Sequence, residues 1–127
     1  MRDLNSTDLS GESLVGVNLQ NLRFDFVDMS GANLTGADAS FASFKFTDLR
    51  FANLVGANLN GANLTNANLV YADLTNADLS GACLHGADLS GASLDGVIVD
   101  GAGLNKARVD RENIRKLKNY FGEVEIE

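Results

Sequence analysis

The chain of 127 residues has no proline, no tryptophan, one cysteine and one histidine. A single cysteine cannot close an internal disulfide and points to a reducing compartment. One cysteine and one histidine are too few for a structural zinc site, which takes three or four ligands. The longest apolar runs are only a few residues, which excludes a membrane-spanning helix. Met1-Arg2-Asp3-Leu4-Asn5 carries an acid at once and leads into no apolar stretch, so no secretory leader is expected and a cytoplasmic location is. Basic residues are also scarce. Ten Lys and Arg stand against seventeen Asp and Glu, and residues 51–105 contain no Lys or Arg at all. With a net charge of −7, direct binding of nucleic acid is not expected.

What the chain does have is internal repetition. Leu4, Leu9, Leu14, Leu19, Phe24 and Met29 open a series with an apolar residue every five positions. It continues through Ala39, Phe44, Leu49 and Leu54 to Leu104 and Val109, giving twenty-two units without an insertion or deletion. Two residues before each centre stands mostly Ala, from Ala32 to Ala107, and one before it mostly Asp or Asn. Two after it stands mostly Gly or Asn.

A helix turns about 100° per residue, so leucines five apart would scatter around its surface. A continuous strand would send them to alternate faces. Within one unit, however, Ala and Leu are two apart, which is strand spacing and places both on one side. The Gly or Asn that follows is a turn residue. The pattern therefore requires a coil with a corner in every unit, whose successive turns stack.

Units such as Ala52-Asn53-Leu54-Val55-Gly56, Ala57-Asn58-Leu59-Asn60-Gly61 and Ala87-Asp88-Leu89-Ser90-Gly91 resemble the pentapeptide-repeat family. The resemblance covers nearly the whole chain. It implies an all-β solenoid, a right-handed quadrilateral β-helix with four units per coil and about five and a half coils. A period of twenty is weakly visible: Phe24 falls in one column with Phe44, Phe26 with Phe46, and Phe51 with Tyr71. The expected division is a β-helix over 1–109 and a C-terminal capping α-helix and tail over 110–127. In that cap Asp110 serves as N-cap, Gly122 ends the helix, and Ile114, Leu117, Tyr120 and Phe121 share a face over the open end of the core. Corners ending in Gly or Asn suit the positive φ of a type II turn. Those ending in Phe26, Phe41, Phe46, Phe51 or Tyr71 are expected to avoid it and use a type I-like turn.

No catalytic constellation is found. Cys83 and His85 lie two apart, but a nucleophile pair also needs an orienting group and a pocket, so both are read as surface variation. No enzyme activity, cofactor or metal is expected. Two surface features remain. Asp8, Asp28, Asp48 and Asp88 recur at twenty-residue spacing, with Asn68 in the gap. They are read either as residues that bond to the corner backbone or as an acidic stripe imitating DNA phosphates. Phe26, Phe41, Phe46, Phe51 and Tyr71 point outward. They form either ladders that stack on one another or a contact patch for a partner. The function expected is that of a non-catalytic protein-binding or structural scaffold, monomeric or weakly dimeric, with an unknown protein partner and no membrane contact. The resemblance, strongest to small cyanobacterial members of the family, also implies an alternative. In its quinolone-resistance branch, proteins mimic DNA and bind type II topoisomerase.

Overall fold

The structure is a computed structural model that describes residues 7–117 and 124–126. Parallel β-bridges join residues twenty apart, which is four five-residue units, so one coil has four faces. The first face carries the ladder Asp8, Asp28, Asp48, Asn68, Asp88 and Arg108. The second runs through Ser13, Asn33, Asn53, Asp73 and Ser93, and the third through Asn18, Asp38, Asn58, Asp78 and Ile98. Arg23, Ser43, Asn63, Cys83 and Gly103 form the fourth.

Every face is held by the same two backbone bonds. The N–H of the central residue donates to the carbonyl nineteen residues on, as Leu34 does to Asn53 at 2.7 Å. The N–H one residue before the centre donates to the preceding coil, as Asn53 does to Ala32 at 2.9 Å. Each corner is a tight turn in which the central carbonyl accepts from the N–H three residues on, as Leu54 does from Ala57 at 3.0 Å.

Inside, the Leu and Ala positions pack into one continuous core from Leu19 to Val109 and on to Leu117. Leu34, Leu49, Leu54 and the leucines at five-residue steps from Leu59 to Leu84 are fully buried. Each such side chain contributes about 1.5–3 kcal/mol by leaving water. Phe24 and Phe44 stack in the interior with centroids 5.1 Å apart, and Ala39 is buried in the column beside them. The first coil is looser, with Leu9 and Leu14 half-buried and Glu12 exposed.

The corners differ from the sequence expectation. Phe26, Phe41, Phe46, Phe51 and Tyr71 all have positive φ, between 56° and 63°, like the glycines at equivalent corners. None of the residues just before them has positive φ, so these are type II turns like the others. The reason is the ladder. Phe41 N–H must reach Asn60 O (2.9 Å) while Ala42 N–H closes on Ala39 O (3.1 Å). Stacked coils above and below impose one corner shape, and each aromatic takes a conformation that costs an L-residue roughly 1–2 kcal/mol.

The C-terminal segment also differs. Strand β1 (Ala107–Val109) leads into a 3-10 helix over Arg111–Lys116, not the α-helix expected from 110. Asp110 makes no side-chain cap bond; its Oδ2 accepts from Gly91 N–H at 2.6 Å instead. Asn113 is buried, and its Nδ2 donates to Ala92 O at 2.9 Å. In the regular coils those partners belong to backbone groups: Gly86 N–H donates to Asn105 O nineteen residues on, and Asn53 N–H to Ala32 O twenty-one residues back. The side chains of Asp110 and Asn113 thus replace the carbonyl and the N–H that the next coil would have supplied. Anchored three residues apart, they hold the segment in a tight helix, with Asn113 N–H on Asp110 O at 2.9 Å. Strand β2 (Val124–Ile126) then pairs in parallel with β1, Ala107 opposite Val124. Of the expected cap face, Leu117 is buried in the core and Ile114 packs against it, whereas Tyr120, Phe121 and Gly122 lie outside the described residues.

Candidate interaction surface

One residue before each centre the side chain points outward and meets its own corner. Asp or Asn Oδ1 accepts the N–H two residues on, as in Asn33 to Thr35 and Asp73 to Thr75, both at 3.0 Å. This bond fixes the chain as it enters the turn, which is why short amides and carboxylates recur there. Asp8, Asp28, Asp48 and Asp88 all work in this way, accepting from residues 10, 30, 50 and 90. The Ser10 hydroxyl and N–H hold Asp8 below the usual carboxylate range. Arg50 does the same to Asp48 through a two-pronged contact, Nε to Oδ1 at 2.9 Å and Nη2 to Oδ2 at 2.7 Å. The Arg50 guanidinium is raised in turn, first by that bond and also by the charge of Asp28. Arg108 approaches Asp88 at 3.7 Å. The acidic ladder on the first face is therefore partly neutralised by two arginines.

The five outward aromatics occupy three corners. Phe26 and Phe46 stack at the corner after the fourth face, with centroids 5.0 Å apart and planes within 4°. Phe51 and Tyr71 stack at the corner between the first and second faces, 5.4 Å apart. Phe41 stands at the corner between the third and fourth faces. Its ring lies over Gly61, where an added Cβ would sit 2.5 Å from Cε1. Tyr71 covers Gly91 in the same way, at 2.6 Å. Phe26 and Phe51 stack on the ring of the next coil, whereas Phe41 and Tyr71 lie over a glycine there. Stacking does not bury them: Phe26, Phe41, Phe46, Phe51 and Tyr71 remain 51–65 % exposed.

Two polar residues escaped the pattern-based reading. Asp25, 6 % exposed, accepts from Ser43 Oγ at 2.5 Å and from Lys45 N–H at 3.0 Å. Thr47 takes a buried Ala position, and its hydroxyl donates to Phe24 O at 2.8 Å. Ser43, standing where Asp or Asn is usual, was the one available hint of the first. Cys83 is exposed, and its Sγ lies 3.3 Å from Thr65 Oγ1. No group of three metal-ligating side chains occurs among the described residues. A cavity of about 770 Å³ opens at the C-terminal end between Asp110, Arg111, Ile114, Arg115 and Ile126, and its lining holds no Cys or His. Among the described residues, no helix is long and apolar enough to cross a membrane.

The pentapeptide repeat family signature matches in eight copies, in overlapping stretches from residue 3 to residue 109. The chain belongs to the pentapeptide-repeat family. A pentapeptide repeat protein of the Arabidopsis thaliana thylakoid lumen is 28 % identical, with a TM-score of 0.58. That match covers 82 % of this chain and 66 % of the other, so the present chain spans just under two thirds of that relative. A pentapeptide repeat protein of the cyanobacterium Nostoc is 34 % identical over 99 % of this chain and 85 % of the other, at a TM-score of 0.46. A plasmid-mediated fluoroquinolone resistance protein is 16 % identical over 99 % of this chain and 87 % of its own, at a TM-score of 0.33. No curated protein matches. Pentapeptide-repeat membership accounts for the coil and the inward Leu and Ala.

Proposed function

We propose that the protein is a non-catalytic, cytoplasmic binding module or scaffold that meets a protein partner through its aromatic corners. One observation carries this reading. Eleven corners place Gly at the positive-φ position, where it costs least, yet five place a large aromatic there with more than half its surface in water. Folding does not require rings at these sites, and exposed rings at fixed spacing on a rigid rod suit recognition. The test is capture of a defined partner from the native host by the intact protein and by Phe46→Ser with Phe51→Ser. A partner lost by the double variant supports the reading; unchanged capture contradicts it.

A second reading, mimicry of DNA toward type II topoisomerase, draws on the family resemblance and on residues 51–105, where five Asp stand without a Lys or Arg. A supercoiling assay decides it. Inhibition of gyrase, or protection from quinolone poisoning, favours mimicry, and the absence of both disposes of it.

A further inference from the structure

Charge is divided around the coil. The second and third faces, with the corner between them and the corner that closes the third, comprise residues 13–21, 33–41, 53–61, 73–81 and 93–101. These stretches contain Asp38, Asp73, Asp78, Asp95 and Asp100 and not one Lys or Arg. The described Lys and Arg before β1 lie on the other half or on its corners: Arg23 beside the buried Asp25, Lys45, Arg50 bonded toward the first face, and Lys106 at the corner after the fourth face. From the C-terminal helix, Lys116 reaches Asp95 at 2.7 Å, while Asp38, Asp73 and Asp78 lie on the ladders themselves.

The same half is bordered by rings. Phe51 and Tyr71 stand at the corner where it begins and Phe41 at the corner where it ends, each about three-fifths exposed. The Phe26–Phe46 stack belongs to the half that carries the cations. The five outward aromatics are thus divided between the two halves, and the Asp ladder of the first face lies in the half that carries the cations. Its acids are crossed by Arg50 and Arg108, and the uniform field lies on the opposite side.

We infer that the second and third faces dock a lysine- or arginine-bearing segment of a partner protein, held between the Phe51–Tyr71 edge and the Phe41 edge. This deepens the proposed binding role by naming the face and the partner's charge. Asp38, Asp73 and Asp78 stand on flat, rigid faces that carry no cation of their own, and carboxylates so placed steer and select cations. Ring faces at the borders accept the apolar stems of Lys and Arg, or their charged heads through cation–π contact. A nucleic acid or an acidic segment is repelled by the same field.

The test uses the full chain and a fluorescent peptide of alternating arginine and alanine, with its glutamate and glutamine counterparts as controls. Asp38→Asn, Asp73→Asn and Asp78→Asn together remove three charges from this half. They keep the corner bond, because Asn53 and Asn58 already make it in the same ladders. Asp8→Asn, Asp28→Asn and Asp88→Asn remove the same charge from the first face. We expect the arginine peptide to bind in a salt-sensitive manner and the first triple variant to weaken it about tenfold, as three exposed pairings together allow. The second triple variant is expected to leave binding nearly unchanged. Equal losses in both variants, or none in the first, overturn the assignment. Phe41→Ser with Phe51→Ser separates the two proposals. Loss there without loss in the first triple variant keeps the aromatic contact and removes the cationic partner, and the reverse keeps the charged face alone.

Discussion

Asp25 Oδ1 accepts the N–H of Lys45, twenty residues away on the next coil, at 3.0 Å. In most units that N–H is met by an Asp or Asn of the same unit, as Asn63 meets Thr65. Ser43 is too short to make the bond, and the carboxylate of the preceding coil makes it instead, taking the Ser43 hydroxyl as well.

Asp25→Ala leaves the half-buried Ser43 hydroxyl and the Lys45 N–H without their acceptor, at about 1 kcal/mol. Adding Ser43→Asn restores a local acceptor, so the double variant is expected to regain much of that stability. Urea unfolding of the wild type, the single and the double variant measures it.

Phe41→Gly relieves a positive-φ side chain that stacks on no other ring among the described residues. Strain relief outweighs the added freedom of the unfolded chain, and stability is expected to hold or rise by up to about 1 kcal/mol. Phe46→Gly also breaks the stack with Phe26 and is expected to be about 0.5–1.5 kcal/mol less stable than Phe41→Gly. Thermal melts of the pair provide the comparison.

Gly91→Ala and Gly36→Ala place Cβ at similar φ, 71° and 65°. Both incur the left-handed penalty of about 1–2 kcal/mol. At Gly36 the added atom meets nothing within 4 Å, whereas at Gly91 it lies 2.6 Å from the Tyr71 ring. The Gly91 variant is expected to unfold first, and Tyr71→Gly in the same chain is expected to remove the difference.

Asn113→Ala removes the donor that ends the ladder at Ala92 O, with an expected loss of about 1–3 kcal/mol. Hydrogen exchange is expected to rise first at Ser93 and its neighbours rather than along the whole rod.

Asp48 has its carboxyl held below the ordinary value by Arg50. A lowered folded value gives stability that is full above the unfolded value, about pH 4, and is lost as pH falls through the folded one. Asp48→Asn is expected to lose a little stability at neutral pH and to converge with the wild type in acid, so that the acid side of its curve is flatter, as denaturant midpoints from pH 2 to 7 will show.

The sequence made the inward pattern legible because burial leaves no choice: Leu64 and Ala62 sit where the five-residue period puts them. It also put Phe46 above Phe26 and Tyr71 above Phe51, since the period of twenty fixes columns. The corner conformation of the rings was not legible. Phe avoids positive φ when judged by its own preference, and the neighbouring coils override that preference with two backbone bonds per corner. The ladder's end was hidden for a similar reason. Asp110 resembles a helix cap in sequence, and only the position of Gly91 shows that its carboxylate replaces a carbonyl. The split of charge between two halves emerges only once residues are assigned to faces. Arg50 is close in the chain to Asn53, on which Asp73 is stacked, yet the corner at Phe51 separates it from both.

The most direct measurement is the intraresidue amide-to-Hα cross-peak in nuclear Overhauser spectra at Phe41, Phe46, Phe51 and Tyr71. The imposed corner places those two protons close together, and we expect peaks as strong as those at the glycine corners. Weak peaks at these four residues, of the size seen for Leu54 or Leu64, would mean that the rings leave the chain by another turn, and the aromatic edges described above would not exist.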